Sequence, residues 1–105
     1  MNISIDNAGT LNSLCWYGSL QGYVEQVMEH CERAVKLASN DSYIRDSRGL
    51  ARALTGDLEG AILDFQYFVD YSGDSNIDKR KQWIEQLKKG INPITSEVLE
   101  ELNSE

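Results

Sequence analysis

The chain has few of the residues that cross-link a small domain or break its helices. It contains two cysteines, Cys15 and Cys31, and one proline in 105 residues. Two cysteines are too few for the disulfide framework of a small secreted scaffold, and no apolar signal stretch precedes them. We therefore expect reduced, buried thiols and a cytoplasmic protein.

Long apolar runs and an excess of positive charge are also missing. No stretch approaches the roughly 18 apolar residues that a membrane span requires. Ten Lys and Arg residues stand against 17 Asp and Glu, a net charge of −7, whereas binding to phosphates requires a surplus of Lys and Arg. We expect neither nucleic acid nor a membrane as partner. The length is sufficient for one core and hence one domain, residues 1–105.

An internal repeat organises the chain. Two apolar stripes at i, i+3, i+4 and i+7 spacing each predict a helix that buries one face. The first stripe consists of Val24, Val27, Met28, Cys31, Ala34 and Val35, and the second of Leu58, Ala61, Ile62, Phe65, Phe68 and Val69. Gly22 and Gly56 precede the stripes at the same interval, where a chain that leaves one helix for the next needs a left-handed residue. Each copy is therefore predicted to be an antiparallel helix pair.

We name the two helices of each pair A and B. Helix A is predicted over about residues 10–21 in the first copy and 42–55 in the second, and helix B covers the stripe. Asp57 is placed to cap the second helix B, while Tyr23 stands at the same place in the first and should cap it less well. The residues before position 10 show no periodicity and are expected to be flexible.

The remainder of the chain predicts two more helices. Residues 75–78 match a capping box, and a helix can run from there to Lys89 before Gly90 ends it. Its apolar residues, Ile77, Trp83, Ile84 and Leu87, suit a helix that covers the end of a stacked array. A short tail helix is expected after Thr95. The predicted fold is all-α, with repeat 1 at 10–40, repeat 2 at 41–74, a capping helix at 75–90 and a tail helix at 91–105.

The predicted capping helix is basic and lies between two acidic stretches. Residues 75–90 hold five basic and two acidic side chains, whereas residues 91–105 hold four acidic and no basic ones. Internal charge complementarity is the favoured explanation. The alternative is that Lys79, Arg80 and Lys81 meet an acidic partner surface.

The repeat resembles the tetratricopeptide repeat, whose helix pairs recur at intervals of about 34 residues. The second copy carries the resemblance best, with small residues at Gly49 and Ala51, the turn Gly56-Asp57, and an aromatic at Phe65. In the first copy cysteines replace the small and the aromatic residue. Residues 46–57, 12–16 and 90–93 resemble the repeat module at the C-terminal end of large bacterial multidomain proteins. The resemblance covers residues 11–102 and implies protein association without a reaction.

The resemblance also implies where a ligand would bind, because helix A lines the groove of that family. By the family register the candidate binding residues are Asn12, Trp16, Ser19, Tyr43, Asp46, Ser47 and Leu50. A clamp for a peptide carboxylate is not expected, since Asp46 and Leu50 stand where Lys, Asn or Arg would be needed. For Trp16 the alternative is a purely core role.

Arg45, Arg48 and Arg52 form a stripe along the second helix A. Aligned guanidinium groups can bind a phosphate or a carboxylate in bidentate fashion. They can equally pair with the protein's own carboxylates while their stems pack on neighbouring helices. We favour structural pairing and keep an anion site as the alternative.

Catalytic and metal chemistry have little support in the sequence. Cys15, His30 and Cys31 do not make a zinc site, because a structural zinc needs four ligands and adjacent residues point to different sides of a helix. A lone histidine without a positioned acid is a poor catalytic base. We expect no enzyme, no metal and no cofactor. The predicted function is a docking or scaffold module that binds a protein or peptide; the alternatives are self-association as a homodimer and sensing of an anion or small ligand.

Overall fold

The computed structural model describes residues 7–105, which form six helices and no strand. In chain order these are α1 Ala8–Leu20, α2 Val24–Leu37, α3 Ser42–Leu54, α4 Leu58–Tyr71, α5 Asp78–Lys88 and α6 Ser96–Asn103. The predicted all-α class is confirmed. Helix α1 begins at Ala8, slightly before the predicted start; for residues 1–6 the expected flexibility lies outside the described residues. Of the helices described, none combines the length and the apolar character needed to cross a bilayer.

The helices pack as two antiparallel pairs that lie side by side, as predicted. Helix α1 packs on α2, and α3 packs on α4. Helix α3 also contacts both α1 and α2, so the pairs share a continuous interface. Gly22 and Gly56 turn the chain within each pair with φ of 89° and 88°, the left-handed conformation that favours glycine. Helix α5 then covers α4, and α6 returns to contact α1.

The side chains before α2, α4 and α5 determine how the start of each helix is capped. Asp57 accepts a hydrogen bond from the backbone N–H of Gly60 and caps α4, while Tyr23 gives α2 no side-chain cap, both as predicted. The prediction of a capping box at residues 75–78 is wrong. Helix α5 begins only at Asp78 without a side-chain cap, because the carboxylate of Asp74 accepts the N–H of Asn76 and forms a turn before the helix.

The largest hydrophobic cluster joins both pairs to the last two helices. Leu50 and Phe65 are fully buried there, together with Leu20 from α1, Trp83 from α5 and Leu102 from α6. Trp83, Ile84 and Leu87 bury the apolar face predicted for the capping helix. Helices α5 and α6 therefore complete the core that two helix pairs alone would leave open.

The expectation of reduced thiols is wrong, because Cys15 and Cys31 form a disulfide that links α1 to α2. Their Cα atoms lie 4.9 Å apart, and both side chains are 1% exposed. The repeat explains why they meet. The equivalent residues of the second pair, Gly49 and Phe65, also touch, since a Cβ on Gly49 would lie 2.8 Å from the Phe65 ring. Two cysteines at so close a helix crossing come within disulfide distance.

Candidate functional site

A pocket of about 340 Å³ lies between α1, α3, the α4–α5 loop and the start of α5. We call it the helix-A pocket. It is lined by Asn12, Ser13, Trp16, Tyr17, Tyr43, Asp46, Ser47, Phe68, Asp74, Asn76, Arg80 and Glu105. The structure thus brings five of the seven candidate binding residues together around one space.

The other two candidate residues, Leu50 and Ser19, are buried away from this pocket. Leu50 is fully buried in the largest hydrophobic cluster. Helix α3 is covered by α1, α2 and α4, and it buries eight of its 13 residues where α1 buries four. Ser19 is 1% exposed, near the end of α1 where Gln21 donates a hydrogen bond to Asn103 of α6. Neither side chain can touch a ligand in this pocket.

Trp16 combines the two roles that the sequence left open. One part of its half-buried side chain packs against the largest hydrophobic cluster, and another part lines the helix-A pocket. The core therefore fixes the position of a ring that remains available to a ligand.

An ion pair between Asp46 and Arg80 forms one wall of the pocket. Nε and Nη2 of Arg80 donate to the two carboxylate oxygens of Asp46 at 3.0 and 2.6 Å. The guanidinium also lies 4.7 Å from the centroid of the Trp83 ring and 5.4 Å from that of Phe68. Burial raises the pKa of Asp46, and the hydrogen bonds and charge of Arg80 oppose that shift. The pair shows the predicted charge complementarity between the basic helix and the rest of the chain.

Tyr43 and Asp74 join α3 to the loop before α5 at the edge of the pocket. The Tyr43 hydroxyl donates to Oδ2 of Asp74 at 3.0 Å, and the N–H of Asn76 donates to Oδ1 at 2.8 Å. These two hydrogen bonds, the backbone one foremost, lower the pKa of Asp74, and the bond to Asp74 raises the pKa of Tyr43. The Tyr43 ring stands edge-on to Phe68 with centroids 5.3 Å apart. Asp74 is thus a fixed, ionised carboxylate at neutral pH.

The remaining polar groups of the pocket include both donors and acceptors. Oδ1 of Asn12 is buried and has no donor among the described residues. The Ser47 hydroxyl donates to the backbone carbonyl of Tyr43 at 3.2 Å. Glu105 lies 3.5 Å from Lys79 Nζ at the other edge. Three carboxylates and one guanidinium line the pocket; Arg80 pairs with Asp46 and Lys79 with Glu105, so Asp74 is the carboxylate of the lining without an ion pair among the described residues.

The arginine stripe of α3 is used inside the protein, as the favoured interpretation held. Nε and Nη2 of Arg48 donate to both oxygens of the fully buried Asp64 at 2.9 Å each, and Nη1 of Arg52 donates to the same carboxylate at 3.2 Å. Arg48 also reaches Glu32 of α2 at 3.3 Å, so the network ties the two pairs together. Arg45 donates to the backbone carbonyl of Ser39 at 2.6 Å. An anion would have to displace these acceptors.

The cysteines and the histidine likewise form no ligand set. The two sulfur atoms are bonded to each other, so neither is a thiolate that could bind a metal ion. His30 is half-buried on α2, and its Nδ1 has no partner among the residues described.

Comparisons with family models, with curated proteins and with solved structures give no match to this chain. The tetratricopeptide resemblance stays a prediction that depends on the residues quoted above.

Proposed function

We propose that the protein is a non-catalytic interaction module whose helix-A pocket holds a segment of a partner protein. The observation that carries the proposal is the pocket itself. Its volume of about 340 Å³ lies in the range of small-ligand sites and is sufficient for a few side chains. Rigid helices supply its aromatic and polar walls, so binding requires little reorganisation of the protein.

The polar groups of the pocket favour recognition over catalysis. Asp46 is engaged by Arg80, the Tyr43 hydroxyl by Asp74, and the Ser47 hydroxyl by a backbone carbonyl. These bonds hold the walls in place, whereas a nucleophile needs a neighbouring base to activate it. We further propose that the module is tetratricopeptide-like and acts as a docking or scaffold part of a larger bacterial assembly.

The disulfide bears on the compartment in which this assembly would function. A cytoplasmic location stays the prediction from sequence, but structural disulfides persist in oxidising compartments and are rare in the reducing cytosol. The bond between Cys15 and Cys31 therefore favours an oxidising compartment. An alkylating reagent added to the native cells at lysis distinguishes the two compartments, because it modifies free thiols and increases the mass of the protein. Alkylated cysteines indicate the cytosol, and an unchanged mass indicates a disulfide and an oxidising compartment.

The proposal is tested by selecting binders from a display library of random peptide segments. We expect the selected segments to bind the wild-type chain and to lose at least tenfold in affinity on Ser13→Tyr, because this exposed position on α1 lines the pocket. Gln26→Tyr places the same ring at an exposed position on α2 and should leave binding unchanged. Segments that bind both variants equally, or a library that yields none, would contradict the proposal.

Self-association is a second candidate, supported by apolar side chains that α1 leaves in contact with solvent. Leu14 is 37% exposed and Tyr17 is 61% exposed, and their i, i+3 spacing places them on one face of the helix. Sedimentation at several concentrations tests it, and a strict monomer at the highest concentration would remove this candidate.

A further inference from the structure

We propose that the helix-A pocket binds a cationic side chain, the ammonium of a lysine or the guanidinium of an arginine, carried by a basic partner segment. This inference rests on the proposed function and names the chemistry of the partner. Its basis is the combination of ionised carboxylates and aromatic rings around one space.

The charges of the pocket favour a positive ligand. Arg80 is the one cation among the described lining residues, and both oxygens of Asp46 already occupy it. Asp74 accepts from the neutral donors of Tyr43 and Asn76 and forms no ion pair with a described residue; the charge of Arg80 acts on it only from a longer distance. A segment with a free carboxylate would meet this excess of negative charge without a guanidinium to receive it.

The aromatic walls suit a cation as well. Trp16, Tyr17 and Tyr43 line the pocket, and the faces of such rings attract ammonium and guanidinium groups. The protein already holds one cation in this way, because Arg80 lies against the rings of Trp83 and Phe68 while Asp46 accepts its hydrogen bonds. The Asp74 carboxylate and the aromatic rings that line the pocket would offer a partner's cationic side chain the same combination of a carboxylate and aromatic faces.

The experiment uses the segments selected from the random library for the proposed function. We expect Lys and Arg to be enriched among them relative to the unselected library. One selected segment, synthesised as a peptide, should bind about three- to fivefold more weakly to Asp74→Asn, because one half-buried charge of the pocket is removed. Asp74→Asn keeps one oxygen to accept from the Asn76 N–H, and its Nδ2 can donate to the Tyr43 hydroxyl oxygen in place of the bond that Tyr43 donates in the wild type. Asp70→Asn changes the overall charge equally at an exposed position of α4 and should leave affinity unchanged.

The aromatic contribution is tested with a second pair of variants. Tyr17→Leu removes an exposed ring that lines the pocket and should weaken the same peptide about two- to fivefold. Tyr23→Leu removes an exposed ring outside the pocket and is the matched control. Binding should also weaken as salt is raised, since exposed charges are screened over about 10 Å at about 0.1 M ionic strength.

The outcomes separate this inference from the proposed function. Enrichment of basic residues, together with the loss of affinity on Asp74→Asn alone, supports the cationic ligand. Segments that lose affinity on Ser13→Tyr but lack basic residues, or that bind Asp74→Asn and Asp70→Asn equally, overturn the cationic ligand and leave the interaction pocket standing. A library that yields no binder of the pocket overturns both.

Discussion

The two helix pairs share one backbone design but are held together by different chemistry. The contact between helix A and helix B is a disulfide in the first pair, Cys15 to Cys31. At the equivalent positions of the second pair, Gly49 lets the ring of Phe65 pack directly on the backbone of α3. A covalent bond and a close fit of ring on glycine are thus alternative ways to fix the same helix crossing.

The next equivalent contact differs as well. In the second pair Arg48 holds the buried carboxylate of Asp64, whereas the first pair has Leu14 and His30 at these positions. The second pair lies between the first pair and α5, and the Asp64 carboxylate at the centre of its polar network is fully buried. The first pair lies at one end of the described stack, and a terminal unit has fewer neighbours to stabilise it. We expect the disulfide to stabilise this end of the stack.

The largest effect is expected for Asp64→Asn in the second pair. The asparagine cannot neutralise Arg48 and Arg52, whose side chains are 12% and 21% exposed. Removing one partner of a buried ion pair costs about 3 to 5 kcal/mol. Urea unfolding followed by circular dichroism measures the loss.

The control for this prediction is Glu32→Gln, which removes an outer carboxylate of the same network. Glu32 is 49% exposed, and exposed ion pairs contribute about 1 kcal/mol or less. Equal losses for the two variants would mean that Asp64 is not the centre of the network.

Removal of the disulfide is expected to have the next largest effect. Replacing Cys15 and Cys31 together by alanine opens a loop across 16 positions of sequence, and closing such a loop contributes about 3 kcal/mol. Thermal unfolding should show the loss. The wild-type chain, reduced after unfolding and refolded with reductant, should match the double variant. A wild type that is indifferent to reductant would indicate that the bond does not stabilise the first pair.

The equivalence of the two crossings is tested by transplanting one into the other. Cys15→Gly with Cys31→Phe should be about 0.5 to 2 kcal/mol more stable than the double alanine variant, because a buried phenylalanine contributes about 1.5 to 3 kcal/mol and a helical glycine costs about 1 kcal/mol. Urea unfolding compares the two.

The control for the transplant is Cys15→Ala with Cys31→Phe. The Cβ of the alanine at position 15 should crowd the phenylalanine ring at position 31, as a Cβ on Gly49 would lie only 2.8 Å from the Phe65 ring. If this variant is the more stable of the two, the crossings are not equivalent.

The repeat in the sequence is sufficient to predict the two helix pairs, because its period places both helix-B stripes and both turns. The last two helices follow from their own apolar residues and end signals. The number of cysteines alone argues against a disulfide, whereas the repeat register aligns Cys15 and Cys31 with Gly49 and Phe65, which touch at a helix crossing. The start of α5 was missed for a local reason. Asp74 competes for the N–H groups before the helix, and a capping-box pattern does not reveal that competition.

The candidate site was only partly within reach of the sequence. A register assigns residues to a face of helix A, and that sufficed for Trp16 and Tyr43. It does not say how far neighbouring helices cover that face, which is why Leu50 was wrongly assigned to the surface. Arg80 and Asp74 come from outside both helices A and enter the pocket through tertiary contacts, so no helical pattern could place them there.

The smallest expected effect concerns the turns, which differ in the residue just before helix B, Tyr23 in the first pair and Asp57 in the second. Asp57 caps α4 through the N–H of Gly60 at 3.0 Å, while Tyr23 is 59% exposed and caps nothing. Tyr23→Asp should therefore stabilise the first pair by about 0.5 to 1 kcal/mol, and Asp57→Ala should destabilise the second by about 1 kcal/mol. Thermal unfolding measures both, and Tyr23→Ala separates the new cap from the loss of the ring. If Tyr23→Asp gains nothing over Tyr23→Ala, the backbone of this turn, with ψ of 32° at Tyr23 against 76° at Asp57, does not present the carboxylate to the free N–H groups of α2.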